Sequence, residues 1–198
     1  MRQRRLFLVV LVQIAVLLLA CGPLAVVRTA STTAPGGVGT GGGTVGPVGW
    51  PTVREAVITR GYGCHTFFTG VHGPCGALWW HDGVDFALAS GPPLYAVVNM
   101  RIDYAGVDNS TLNCSHIAGS QPPHTGFGIY VKGTDATGRV YHYGHAAQVY
   151  VHAGDTVQAG QEIAQMGSTG CSTGIHLHLR VTEADGQTID PMTILTRP

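Results

Sequence analysis

The stretch from Gly167 to Thr182 reads GSTGCSTGIHLHLRVT. Glycines at 167, 170 and 174 lead into a run in which His176, His178 and Arg180 alternate with Leu177, Leu179 and Val181. Side chains of a β-strand alternate with period two, so His176 and His178 project from one face. The stretch therefore predicts a Gly-rich turn that delivers a strand carrying two nitrogen donors on a shared face.

The rest of the chain extends this reading. Short runs separated by turn signals follow one another past Trp50: VREAVITR, HDGVDFAL, PLYAVV, MRIDYAGVD, GIYVKG, VYHYGHA and DTVQAGQEIAQMG. Runs of this length and spacing indicate antiparallel strands, with no helix-period segment longer than a turn or two. With 29 glycines and 11 prolines in 198 residues, a helical bundle is disfavoured. The expected fold is mostly β, a compact antiparallel sheet or barrel-sandwich forming a single domain over residues 51–198.

Hydrophobic residues make up 44% and charged residues 11%, enough apolar material for one modest core. Eleven basic residues balance eleven acidic ones, and Lys132 is the only lysine. No basic field exists to neutralise several phosphates, so nucleic acid is not an expected partner. The balance is also an average. Arg2, Arg4, Arg5 and Arg28 lie in residues 1–28, which leaves the remainder with seven basic against eleven acidic residues.

Those first 28 residues have their own logic. Three arginines precede the apolar run Leu6 to Ala20, and Cys21 follows Leu18-Leu19-Ala20. A basic segment before an apolar one is an export signal. Leu-Leu-Ala-Cys resembles a bacterial lipobox, which would leave Cys21 as a lipidated N-terminus; an uncleaved anchor over Leu6 to Val27 and simple secretion are the alternatives. Each puts the domain outside the cytoplasm. Residues 29–50, rich in Gly and Thr without hydrophobic periodicity, read as a flexible linker. The expected partner on this side is a membrane, reached through the anchor or the lipid.

Export bears on the remaining cysteines. Cys64, Cys75, Cys114 and Cys171 allow three disulfide connectivities. The expected pairs are Cys64–Cys75, closing a short loop, and Cys114–Cys171, pinning a long insertion near the later histidines. A cysteine-rich zinc site is the rival, but the chain has no Cys-x-x-Cys pair.

The chemistry concentrates in the histidines. His81 and Asp85 stand four apart in HDGVD, and two imidazoles plus one carboxylate with an open fourth position form a recognised catalytic zinc arrangement. With ten histidines, roughly 0.5 His-x-His and 0.4 His-x-x-x-Asp motifs arise by chance, so neither alone decides. Tyr141-His142-Tyr143-Gly144-His145 is a further strand, on which alternation would put Tyr143 and His145 on one face and His142 on the other. The segment Val151 to Gly167 looks like the hairpin of lipoyl and biotinyl carrier domains, which need a lysine at the tip; Lys132 lies in a different hairpin.

Taken in order, these motifs resemble the lysostaphin/LytM-type zinc metallopeptidases of bacterial cell walls. The resemblance is carried by His81 to Asp85, Tyr143 to His145, the Val151 to Ile163 hairpin, Gly167 to His178 and Asp190-Pro191, and spans about 50–198. It implies the duplicated hybrid motif fold and one Zn2+ per domain, held by His81, Asp85 and His178. It implies His145 and His176 as the catalytic, non-ligand pair, and peptidoglycan as the substrate of a monomeric catalytic domain. Tyr143, His65 and Trp80 are expected near the substrate, with Trp80 also forming core and cleft wall. Two departures stand out. Leu179 and Arg180 follow the His pair where the family has an aromatic and a Glu, and Ile129 replaces the Asn of a Gly-x-Gly-Asn turn. A non-catalytic module of the same fold, activating a cell-wall amidase or scaffolding the envelope, is the alternative function.

Overall fold

A computed structural model describes residues 49–65, 75 and 79–197. The expected export segment with Cys21, and the linker as far as residue 48, lie outside the described residues.

Alternation drives the fold as the runs of the sequence predict. The strands are β1 (Val57–Arg60), β2 (Gly63–His65), β3 (Trp79–His81), β4 (Val84–Ala87), β5 (Pro93–Tyr95), β6 (Met100–Val107), β7 (Ile129–Asp135), β8 (Val140–Val149), β9 (Thr156–Val157), β10 (Glu162–Met166), β11 (His176–Thr182) and β12 (Thr188–Ile189). The only helical piece among the described residues is a 3-10 turn, Pro191–Thr193, capped by the Asp190 side chain. Ten strands form one sheet with the spine β1-β4-β11-β8-β7-β6-β9; β10 joins β5 to β8, and β12 flanks β11. Strands β2 and β3 make a separate ribbon.

One face of the central strands builds the core. Val84 and Phe86 on β4, Leu177, Leu179 and Val181 on β11, and Tyr141 and Tyr143 on β8 are fully buried. Leu94, Ile102, Val131 and Ile163 pack with them in one cluster. Buried aliphatic and aromatic side chains supply about 1.5–3 kcal/mol each, which makes this shared face the main source of stability. Its opposite face carries Asp85, His178 and Arg180, and the register fixes which residues meet there: His178 lies opposite Asp85 on β4 and Gly144 on β8, and Arg180 lies opposite His142.

The simple alternation expected on β8 fails at one residue. Between the β7 pairings Ile129↔Ala146 and Val131↔Tyr143, β8 carries an extra residue, a β-bulge. His145 there has φ of 64°, the only positive φ outside glycine among the described residues. Tyr143 and His145 consequently point in different directions, and His142, expected to turn away, lies on the face of Arg180.

Both expected disulfides are formed, with Cα separations of 5.5 Å for Cys64–Cys75 and 5.1 Å for Cys114–Cys171. The second is one of several ties between the insertion after β6 and the Gly-rich turn. Ser168 donates to the Gly119 carbonyl, Ser120 donates to the Gly170 carbonyl, and the Gly170 and Cys171 amides reach Pro123 and Gly126.

Candidate metal centre

Antiparallel pairing of β4 with β11 sets Asp85 beside His178, and the short turn between β3 and β4 brings His81 to them, all three buried. His81 Nε2 lies 3.1 Å from Asp85 Oδ1, His178 Nδ1 lies 3.0 Å from the same oxygen, and the two ring nitrogens are 3.0 Å apart. The other nitrogen of each ring is engaged. His81 Nδ1 donates to the Gly61 carbonyl at 2.7 Å, and His178 Nε2 faces Asp82 Oδ1 at 3.2 Å. Such partners fix a ring's tautomer and aim its free lone pair.

Three acceptor atoms therefore point at one another inside the protein, an arrangement that a cation among them would satisfy. The donor set fits zinc. Bonds of about 2.0–2.1 Å to a tetrahedral ion separate ligand atoms by roughly 3.3 Å, a few tenths beyond the distances found. Without metal, a proton serves instead: burial opposes charge on His178, but hydrogen bonds to Asp82 and Asp85 outweigh it and push its pKa up to about 9. Burial would raise the Asp85 carboxyl, yet its close contacts with His178 and His81 hold it far below the usual carboxylate range. Arg60 adds an ion pair at 3.6 Å to Asp85 Oδ2.

Beside this trio stand His145 and His176, ring centroids 4.7 Å apart. His145 Nδ1 donates to the Thr169 carbonyl and His176 Nδ1 to the Gly174 carbonyl, each at 2.8 Å. Each ring thus keeps a lone pair at Nε2, and His176 Nε2 is 3.8 Å from Asp85 Oδ1. Burial pushes the His145 pKa down to about 3 and lowers that of His176, so both are neutral bases at neutral pH. The bulge of β8 turns His145 onto this face.

The structure places the other sequence-predicted residues less uniformly. Tyr143 is a correction: it is fully buried, and its hydroxyl accepts the Val97 amide at 2.9 Å, so it supports the wall from behind and does not line the cleft. His65 bonds the Gly61 carbonyl that also holds His81, with the two rings 6.0 Å apart. Trp80 packs edge-on against Tyr62 at 4.9 Å.

Three participants escaped sequence reasoning. Asp82 orients His178, Thr169 orients His145 through its carbonyl, and His142 accepts from Arg180. Adjacency to His81 was a signal for Asp82. Nothing in the sequence gives the cross-strand register that sets His142 against Arg180.

Residues 80–191 match the family described as Peptidase family M23. Over 139 residues the chain is 34% identical to lysostaphin from Staphylococcus simulans, covering 69% of this chain and 24% of that protein. The solved catalytic domain of the antimicrobial peptidase lysostaphin from Staphylococcus simulans superposes with a TM-score of 0.55 at 29% identity, covering 70% of this chain and 91% of that one. A zinc containing peptidase from Vibrio cholerae gives a TM-score of 0.57 at 25% identity, covering 75% and 40%. The chain spans about a quarter of the length of these curated relatives.

Proposed function

The chain belongs to peptidase family M23, and on that premise we propose that it is an exported zinc endopeptidase that hydrolyses peptide bonds in peptidoglycan. The observation that carries the proposal is the convergence of His81 Nε2, Asp85 Oδ1 and His178 Nδ1 within 3.0–3.1 Å of one another. Similarity to lysostaphin and to the glycyl-glycine endopeptidase of Staphylococcus capitis supports a cell-wall substrate.

His81, Asp85 and His178 would hold the ion. Zinc, when bound, supplies a Lewis acid that polarises the scissile carbonyl and makes a water acidic near neutral pH. The protein's own groups manage the proton. His145 or His176 accepts it at Nε2 as the water oxygen bonds to the carbonyl carbon. The imidazolium so formed returns that proton to the leaving nitrogen as the C–N bond breaks, which leaves the ring neutral again. Backbone carbonyls at Thr169 and Gly174 hold both rings in the tautomer this requires. The proposal further assigns residues 1–28 to export, with lipid on Cys21 tethering the domain to a membrane; radiolabelled fatty acid that failed to enter wild type any more than Cys21→Ala would remove the lipid.

The test is mass spectrometry of fragments released from purified peptidoglycan by the zinc-loaded chain. New amino termini in the stem peptide or cross-bridge are expected, and none from His178→Ala. Release by His178→Ala, or no release by zinc-loaded wild type, overturns the proposal.

A further inference from the structure

We propose that Arg180 is a positioning residue of the metal centre, holding Asp82 so that Asp82 holds His178. The inference rests on the proposed function and deepens it. Arg180 Nη1 donates to Asp82 Oδ2 at 3.1 Å, while the other oxygen of that carboxylate meets His178 Nε2 at 3.2 Å. On its far side, Arg180 Nη2 donates to His142 Nε2 at 3.1 Å. The guanidinium carbon sits 4.8 Å from the centre of the Phe127 ring, which lies in turn 5.6 Å from the His142 ring. A carboxylate, an imidazole and an aromatic face thus clamp the guanidinium.

The clamp has a reason. The Asp82 side chain is 36% exposed, so by itself it has water as a competing partner and several rotamers to choose from. Pinning one oxygen to a planar, preorganised fork leaves the second directed at His178. His142 can receive the guanidinium because it is buried and neutral, its Nε2 free to accept. The His178 ring orientation then decides where its Nδ1 lone pair points.

The experiment measures the zinc dissociation constant by chelator competition and the visible spectrum of the Co2+ form for wild type, Arg180→Gln, Arg180→Lys, Asp82→Asn and the double variant Asp82→Asn/Arg180→Gln. Each variant is first checked for folding by circular dichroism. Arg180→Gln is expected to weaken zinc binding about tenfold and Asp82→Asn by about 10–100-fold, as partners of metal ligands do. Arg180→Lys, a point charge without the fork, should fall between wild type and Arg180→Gln. Because Arg180 acts through Asp82, the double variant should bind within about twofold of Asp82→Asn alone. Arg139→Gln, which breaks the 2.7 Å ion pair to Glu183 beyond the end of β11, should lower stability without moving either metal readout.

Wild-type affinity and an unchanged Co2+ spectrum in Arg180→Gln overturn the role of Arg180 alone. So does additivity in the double variant. A wild-type chain that takes up no metal overturns the proposed function and this inference with it.

Discussion

Replacing Gly83 by alanine tests whether the proposed metal centre depends on the close approach of strand and ring. A Cβ at that position would lie 2.5 Å from the Leu179 carbonyl oxygen and 2.7 and 2.8 Å from Cε1 and Nε2 of His178. Ordinary contacts begin near 3.4 Å. Something must therefore withdraw by roughly 0.7–1 Å, the gap to normal carbon contact distances. The Leu179 carbonyl belongs to β11, pinned between β4 and β8, so the turn carrying Gly83 must itself withdraw, drawing Asp82 off His178 Nε2 while the ring yields the remainder. Metal–ligand distances tolerate only about 0.2 Å, so Nδ1 leaves the shared point. Zinc affinity should fall by about 10–100-fold, or about 1.4–2.8 kcal/mol, and the fold should lose about 1–3 kcal/mol to overpacking. Chelator competition reads the first and urea unfolding of the metal-free protein the second. Gly154→Ala is the control: its φ is +99° and nothing lies within 4 Å of the added Cβ, so it carries backbone strain alone. It should cost about 1–2 kcal/mol in stability and leave zinc affinity unchanged. Wild-type zinc affinity in Gly83→Ala, or an equal loss in Gly154→Ala, would refute the reasoning.

Other perturbations separate fold from chemistry. His145→Ala and His176→Ala should each retain zinc while peptide hydrolysis falls about 10²–10⁴-fold, measured with a defined peptidoglycan fragment; loss of metal from either would make it a ligand. Replacing the Cys114–Cys171 pair by serines opens a loop of 57 residues and should cost about 4 kcal/mol, against about 3 kcal/mol for the 11-residue Cys64–Cys75 loop, by chain entropy; denaturation midpoints in the reverse order contradict it. Burial would raise the Asp135 carboxyl, but hydrogen bonds from Thr137, Tyr141 and the Arg139 amide hold it below its ordinary value. A carboxylate lowered by folding stabilises above the unfolded pKa near 4 and loses that contribution as pH falls through the folded value. The stability gap between wild type and Asp135→Asn should thus shrink below pH 4, and a gap constant from pH 7 to 3 contradicts it.

Much of the fold is legible in residues such as Leu177, Leu179 and Val181, because period-two alternation with a buried face states both the strand and its orientation. His81 and Asp85 are legible for a different reason, a short turn that brings them together locally. Tyr143 and His145 mark the limit. Alternation assumes an unbroken strand, and a single inserted residue in β8 reverses everything beyond it; the cause is the pairing with β7 across the sheet, which no local pattern encodes. Arg180 and His142 are likewise joined only by register, and Asp82 takes its meaning from His178, 96 positions further along the chain.

If His145 serves the proposed hydrolysis, the bulge that carries it sets stability against activity. Its left-handed backbone suits glycine, and an imidazole there is both strained and stripped of water. Selection for thermal stability alone would therefore favour discarding this histidine, and a variant enriched by heat could be sturdier and inert. Its persistence in a natural chain would then reflect selection on what the ring does, at a position where the backbone alone prefers another residue.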